Sequence, residues 1–280
     1  MTEGIKPSGT QSIERSISLL RLLSTRGKFG WGLTDLARRS GMDKATVHRI
    51  LVCLERERMV KRDPVERRYY PGPLLVDLAL SVSTYQPFLD AGREALARIV
   101  QRTNGVAFFY LRSDYDFVVA GRQERNVHRG MLNDVGYRRP LIMSAGGIAI
   151  LMALPPDERE DVLNHNMESL RAARVPLVDR FLRMLEHSLE LGYSANLEHV
   201  ASGIHSFSVP ILNESGLPLG ALAVAGDATQ FPASSGCKLA TMLSQEAENV
   251  LSKVPDLAPA GSQLPAPNPP VFMNQAFSMA

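Results

Sequence analysis

After a polar opening stretch (residues 1–11) that reads as a disordered arm, apolar residues recur with helical spacing at Ile13, Ile17, Leu20 and Leu23. The glycines of "RGKFGWG" end that helix. A short helical segment, "TDLARRS", follows with Thr34 as its N-cap, and Gly41 breaks it. Asp43 can cap the next helix, whose buried stripe is Val47, Ile50, Leu51 and Leu54. "MVKRDPVERRYYPG" then reads as two short strands about a turn at Asp63-Pro64.

Further on the pattern changes. "PLLVDLALSVSTY" is an apolar helix with little polar face, which fits a linker helix and self-association surface over residues 73–86. A second domain starts near Pro87 with the amphipathic "PFLDAGREALARIVQRTN" and runs to residue 254. It contains the strand-like runs "VAFFYLR", "DFVVAGRQ", "HSFSVPIL" and "LGALAVAG", the last two joined as a hairpin by "NESG". Helical patterns lie at "SAGGIAILMAL", "PPDEREDVLNHN", "LVDRFLRMLEHSLELG" and from about Ala233 to Lys253. The Pro-, Ala- and Ser-rich tail, residues 255–280, reads as disordered. The fold class is therefore α+β in two domains.

Charge sharpens this division. Residues 1–72 hold 15 Lys+Arg against 8 Asp+Glu, which leaves 16 against 21 in the remainder. A basic first module with a mildly acidic second one suits a polyanionic partner for the first alone. No apolar run approaches the roughly 18–20 residues of a membrane span, and the N-terminus lacks a signal-peptide core. Cys53 and Cys237 follow no metal or redox spacing, so a cytoplasmic, reducing location is expected.

The two short helices fit helix-turn-helix packing. Ala37 is small where the helices touch, and Gly41 follows it by four residues at the turn. With Met42, Val47 and Ile50 packed inward, Lys44, Ala45, Thr46, His48 and Arg49 form the exposed front, the end that recognition helices present to base edges and phosphates. The hairpin adds Lys61, Arg62, Arg67 and Arg68, a basic wing beside the reader. A charged helical domain used for protein contacts is the competing reading. The joint presence of the small-residue spacing, basic front and basic wing favours double-stranded DNA.

The chain resembles the IclR family of bacterial transcriptional regulators. The resemblance spans Ser12 to about Val254 and rests on "SIERSISLLRLL", "LTDLARRSGMDKATVHRILVCLERERMVKRD", "VGYRRPLIMSAGGIAILMALP" and "LGYSANLEHVASGIHSFSVPILNESGLPLGALAVAG" in that order. It implies an N-terminal winged helix-turn-helix over residues 12–72, a linker helix, and a C-terminal GAF-like α/β effector-binding domain. It also implies dimers, often paired into tetramers, on palindromic operators, with DNA contacts at Thr34, Lys44, Ala45, Thr46, His48, Arg49, Arg67 and Arg68.

The second domain shows no catalytic motif, and its histidines lack ligand spacing, so no metal, cofactor or enzymatic activity is expected. Metal binding by His199 and His205 is the weaker alternative to satisfied histidines. The resemblance implies instead a small organic acid held against a curved sheet and a helix N-terminus. Ser144, Ala145, Gly146 and Gly147 stand at the helix end, and Asn196, Ser206, Ala223 and Ala225 on the sheet. "SAGG" also suits plain close packing. Ala223 and Ala225 replace serines of relatives that bind tiny acids, Ile148 replaces a common lysine and Arg58 a common glycine. A larger, part-apolar effector follows, aromatic or hydroxylated, with Met131, Leu132 and Phe207 as its apolar lining, unless alternation buries Phe207 in the core. Two other functions stay open: a ligand-independent DNA-binding protein, and an enzyme acting on a small acid.

Overall fold

The computed structural model describes residues 10–125, 134–176 and 178–254, in two compact units divided after Ser81. The first unit holds α1 (Gln11–Ser24), β1 (Trp31–Gly32), α2 (Leu33–Ser40), α3 (Lys44–Arg56), β2 (Val60–Arg62), β3 (Arg68–Pro71) and α4 (Leu74–Leu80). Its core gathers Leu19, Leu22, Leu23, Leu36, Val47 and Leu51 around Trp31 and Tyr69. The α1 stripe expected from the sequence holds only at its end: Leu23 is buried and Leu20 half-buried, whereas Ile13 and Ile17 are 59% and 47% exposed and Leu19 and Leu22 are buried in their place. The reason is position. The buried residues of α1 all lie in its C-terminal half, and the helix contacts α2, α3 and β3.

The sheet of this unit has the order β1-β3-β2, all antiparallel. Strand β1 lies inside the glycine-rich stretch that reads as a simple helix break. Its pairing of Trp31 with Tyr69 buries two large rings side by side. Helix α4 buries no residue, and Val76, Leu78 and Leu80 are exposed on it.

The second unit is built on a six-stranded antiparallel sheet. Its strands are β4 (Val106–Ser113), β5 (Asp116–Gln123), β6 (Arg138–Pro140), β7 (Ser194–Leu197), β8 (Ile204–Leu212) and β9 (Pro218–Asp227), in the order β6-β5-β4-β9-β8-β7. Its helices are α5 (Gln86–Thr103), α6 (Ala145–Met152), α7 (Pro156–Ala172), α8 (Val178–Leu191) and α9 (Gly236–Leu251). One core joins α5 and α9 to Phe109, Phe207, Leu222 and Val224; the other joins α6, α7 and α8 to Phe108, Tyr110, Phe117, Ala221 and Ala223.

Central strands covered on both faces read as continuous apolar runs, as "LGALAVAG" does. The side chains still alternate in size. Leu222 and Val224 face α5 and α9, while Ala221, Ala223 and Ala225 face α6, which packs across β8 and β9. The β8–β9 hairpin is the one expected from "NESG", with Asn213 Oδ1 accepting the Leu217 N–H at 2.9 Å. Strands β6 ("RRP") and β7 ("SANL") are short and polar, and local pattern does not disclose them.

Candidate functional site

In the first unit, α2 and α3 meet across a turn in which Gly41 takes φ 66°, a conformation that costs an L side chain about 1–2 kcal/mol. Asp43 caps α3, its Oδ1 accepting the Thr46 N–H at 2.8 Å. A hydrogen bond from the Thr46 hydroxyl, together with that backbone bond, holds the Asp43 carboxyl below the usual carboxylate range. Val47, Leu51 and Leu54 are buried and Met42 and Ile50 half-buried, so Lys44, Ala45, His48 and Arg49 face solvent. Thr46 is half-buried, and its hydroxyl accepts from Arg49 Nη2 at 3.3 Å.

Two residues of the sequence-derived set are placed differently from expectation. Thr34 is not the N-cap of α2: the helix starts at Leu33, Gly32 occupies the cap, and Thr34 is an exposed residue of the first turn. Arg68 is half-buried, its Nη1 donating to the carbonyls of Phe29 (2.9 Å) and Gly30 (3.4 Å) and its Nε 3.9 Å from Glu66. Arg67 at the hairpin tip, with φ 55°, and Lys61 on β2 are exposed.

In the second unit the sheet gathers the expected polar set on one face. Strand register aligns Asn196, Ser206 and Ala225 in one row and Ser194, Ser208 and Ala223 in the next. Ser144 caps α6 on the same side, its Oγ accepting the Gly147 N–H at 2.9 Å, so one donor of that helix end is already occupied. Asn196 is buried and its Oδ1 accepts the Val200 N–H; Ser208 Oγ donates to the Leu222 carbonyl. Ser206 is half-buried. A Cβ on Gly146 would lie 2.2 Å from the Tyr110 ring, and one on Gly147 1.9 Å from the Leu141 carbonyl oxygen, so both glycines are required by packing.

Met131 and Leu132 lie outside the described residues. Phe207 sits on the opposite face of the sheet, 1% exposed in the α5–α9 core, because it is out of phase with Ser206 and Ser208. It is therefore core and not effector lining. His205 Nδ1 donates to the Phe231 carbonyl at 2.8 Å. Among the described residues, no cluster of three or more His, Cys, Asp or Glu side chains is placed to hold a metal ion. Nor is any described helix long and apolar enough to cross a membrane.

Sequence reasoning passed over several groups on this face. Ser194 Oγ is buried without a hydrogen-bond partner among the described residues. Arg139 on β6 is 7% exposed, with its guanidinium 4.8 Å from the centroid of the Tyr137 ring and its Nε unpartnered. Burial pushes the Arg139 guanidinium down and the Tyr137 phenol up. "VGYRRPL" contains both residues. Only the pairing of β6 with β5 shows that Arg139 points into the α6–α8 side, while Arg138 turns to Asp116 at 2.8 Å.

Comparison with known proteins bears on both units. The family model described as "IclR helix-turn-helix domain" matches residues 12–64, and that described as "Bacterial transcriptional regulator IclR C-terminal" matches residues 83–252. A glycerol operon regulatory protein of Streptomyces coelicolor is 30% identical over 227 residues, 77% of this chain and 84% of its own. Among solved structures, an IclR transcriptional regulator from Alicyclobacillus acidocaldarius superposes with a TM-score of 0.68 at 25% identity, covering 87% of this chain and 98% of its own. An IclR homolog from Microbacterium hydrocarbonoxydans, complexed with 4-hydroxybenzoate, superposes at 0.65 with 19% identity over 87% of this chain and 99% of its own.

Proposed function

Because the chain belongs to the IclR family of DNA-binding transcriptional regulators, we propose that it reads an operator through the front of α3 and that a small organic acid in its second domain tunes that affinity. The observation that supports this most is the Asp43-capped start of α3. Its cap bond fixes that end, and it presents Lys44, Ala45, His48 and Arg49 to solvent with none of the described residues packed over them. Arg49 suits guanine or phosphate, Lys44 suits phosphate, and the exposed Lys61 and Arg67 of the hairpin suit the flanking backbone.

In this reading the acid binds one arrangement of a self-associated protein better than another. DNA affinity then shifts by that difference, typically 1–3 kcal/mol. Paired readers roughly 34 Å apart meet successive major grooves on one face of the duplex, which fits a palindromic operator. The exposed Val76, Leu78 and Leu80 of α4 are suited to such pairing. The 4-hydroxybenzoate held by the Microbacterium homolog makes aromatic acids the first effectors to try.

The test is retention of the protein's own upstream intergenic DNA, with excess random competitor, by wild type and by Arg49→Ala. Wild type is expected to retain it specifically, and Arg49→Ala to lose that retention while its thermal melting stays unchanged. Equal footprints from the two proteins would remove Arg49 from the reader.

A further inference from the structure

The two buried arginines of the second unit differ in one respect. Strand register places Arg112 opposite Phe117 and Phe117 opposite Arg139, so all three lie in one row on the sheet face that α6, α7 and α8 cover. Arg112 and Arg139 are 5% and 7% exposed. Arg112 has a carboxylate, Glu158 of α7, within hydrogen-bond distance. Arg139 has none among the described residues, and the Tyr137 phenol lies beside it.

Asp116 is paired with Arg138, and Glu124 and Asp134 with Arg122. The undescribed stretch 126–133, "NVHRGMLN", contains no Asp or Glu. A guanidinium does not escape burial by losing its proton, so an uncompensated one costs several kcal/mol. Folds keep such a group where something else supplies the negative charge.

We propose that Arg139, with the Tyr137 hydroxyl beside it, is the anchor for the carboxylate of an organic acid bound at the β6 edge of the sheet. This deepens, and rests on, the reading of the second unit as an effector domain. The chemistry of the anchor selects the ligand class. The planar fork of an arginine matches a carboxylate through two parallel N–H donors. Nε is unpartnered among the described residues in Arg139 and in Arg112 alike, so what sets Arg139 apart is the carboxylate that Arg112 has and it lacks. The Tyr137 phenol, neutral at physiological pH, adds a further donor. The adjoining surface is aromatic: Phe117 is the register partner of Arg139 and meets the Tyr110 ring edge-on at 5.1 Å. A monocarboxylate with a flat apolar body fits such a wall better than a bare inorganic anion or a small hydroxylated one.

The experiment is thermal melting of full-length wild type, Arg139→Met and Arg139→Lys, each with sodium benzoate, with benzamide, and with sodium chloride at matched ionic strength. Benzoate is expected to raise the wild-type melting temperature above the chloride control, and benzamide is not. Arg139→Met is expected to melt, without ligand, at or above the wild-type temperature, because it removes an uncompensated buried charge. Its apparent Kd for benzoate should rise at least about tenfold, as the loss of charge-assisted hydrogen bonds requires. Arg139→Lys keeps the charge without the fork and should fall between the two.

A ligand-free Arg139→Met that melts well below wild type would make Arg139 a structural residue and overturn the proposal. So would a benzoate shift that survives in Arg139→Met, or no shift in wild type. Operator retention by wild type is measured without benzoate. Its failure would remove the regulatory reading, whereas a benzoate shift that depends on Arg139 would still support the anchor.

Discussion

Arg58 follows the recognition helix at φ 60°, where relatives of the resembled family commonly carry glycine. The left-handed conformation costs an L side chain about 1–2 kcal/mol, while glycine loses somewhat more entropy on folding. The only ion pair of Arg58 among the described residues is a 3.7 Å contact with Asp77 in which both side chains are more than half exposed, which contributes little. Relief of strain therefore dominates. Arg58→Gly is expected to stabilise the first unit by roughly 0.5–1 kcal/mol, read as a higher urea midpoint with an unchanged m-value. A lower midpoint would mean that the arginine has a contact worth more than its backbone strain. This site was visible in the sequence as a departure from a resemblance, but not in its sign. Arg68 shows the opposite case. Its charge placed it with the wing, yet its Nη1 donates to the Phe29 and Gly30 carbonyls, a partnership that depends on the pairing of β1 with β3.

Elements with strong local signals were legible and those made by pairing were not. The β8–β9 hairpin announces itself through alternation and "NESG", and α3 through Asp43 and its apolar stripe. Strands β6 and β7 have three and four residues and exist because a neighbouring strand presents an edge. The burial of Arg139 depends on that pairing, so its chemistry could not be read from "RRP". Helix α6 shows the limit of a motif with two meanings. "SAGG" suggests an anion cradle, but Gly147 is fixed by packing. Alanine there gains about 1 kcal/mol in helix propensity, yet its Cβ would sit 1.9 Å from the Leu141 carbonyl oxygen, a backbone atom that cannot swing aside. Overpacking costs about 1–3 kcal/mol or more and outweighs the gain. Gly147→Ala is expected to lower the melting temperature of the second unit by several degrees, as about 1 kcal/mol moves a domain of this size by roughly 2–4 °C. A melting temperature equal to or above wild type would show that α6 can lift away from Leu141, and the small residues would then be free to serve a ligand.

At the scale of the molecule, charge separation makes a quantitative prediction. Lys44, Arg49, Lys61 and Arg67 are exposed on the first unit and belong to no ion pair among the described residues. If each neutralises one phosphate, a pair of readers on a palindrome releases counterions from about eight, and log K should fall against log salt with a slope of about −7. A single reader would give about half that slope. The measurement thus counts readers without a separate determination of oligomeric state, provided that the cationic contacts come from the basic first unit. The acid enters the same balance by linkage. Whatever factor it imposes on operator affinity, operator DNA must impose on the affinity for the acid. If the acid acts by changing the spacing of readers, specific binding should weaken by the typical 5–150-fold of such coupling while the nonspecific salt slope of the liganded protein stays near −7. If it acts by separating the readers, the slope itself should fall towards half. Salt titrations with and without benzoate distinguish these two outcomes, and a slope near −4 in both would remove paired readers from the mechanism.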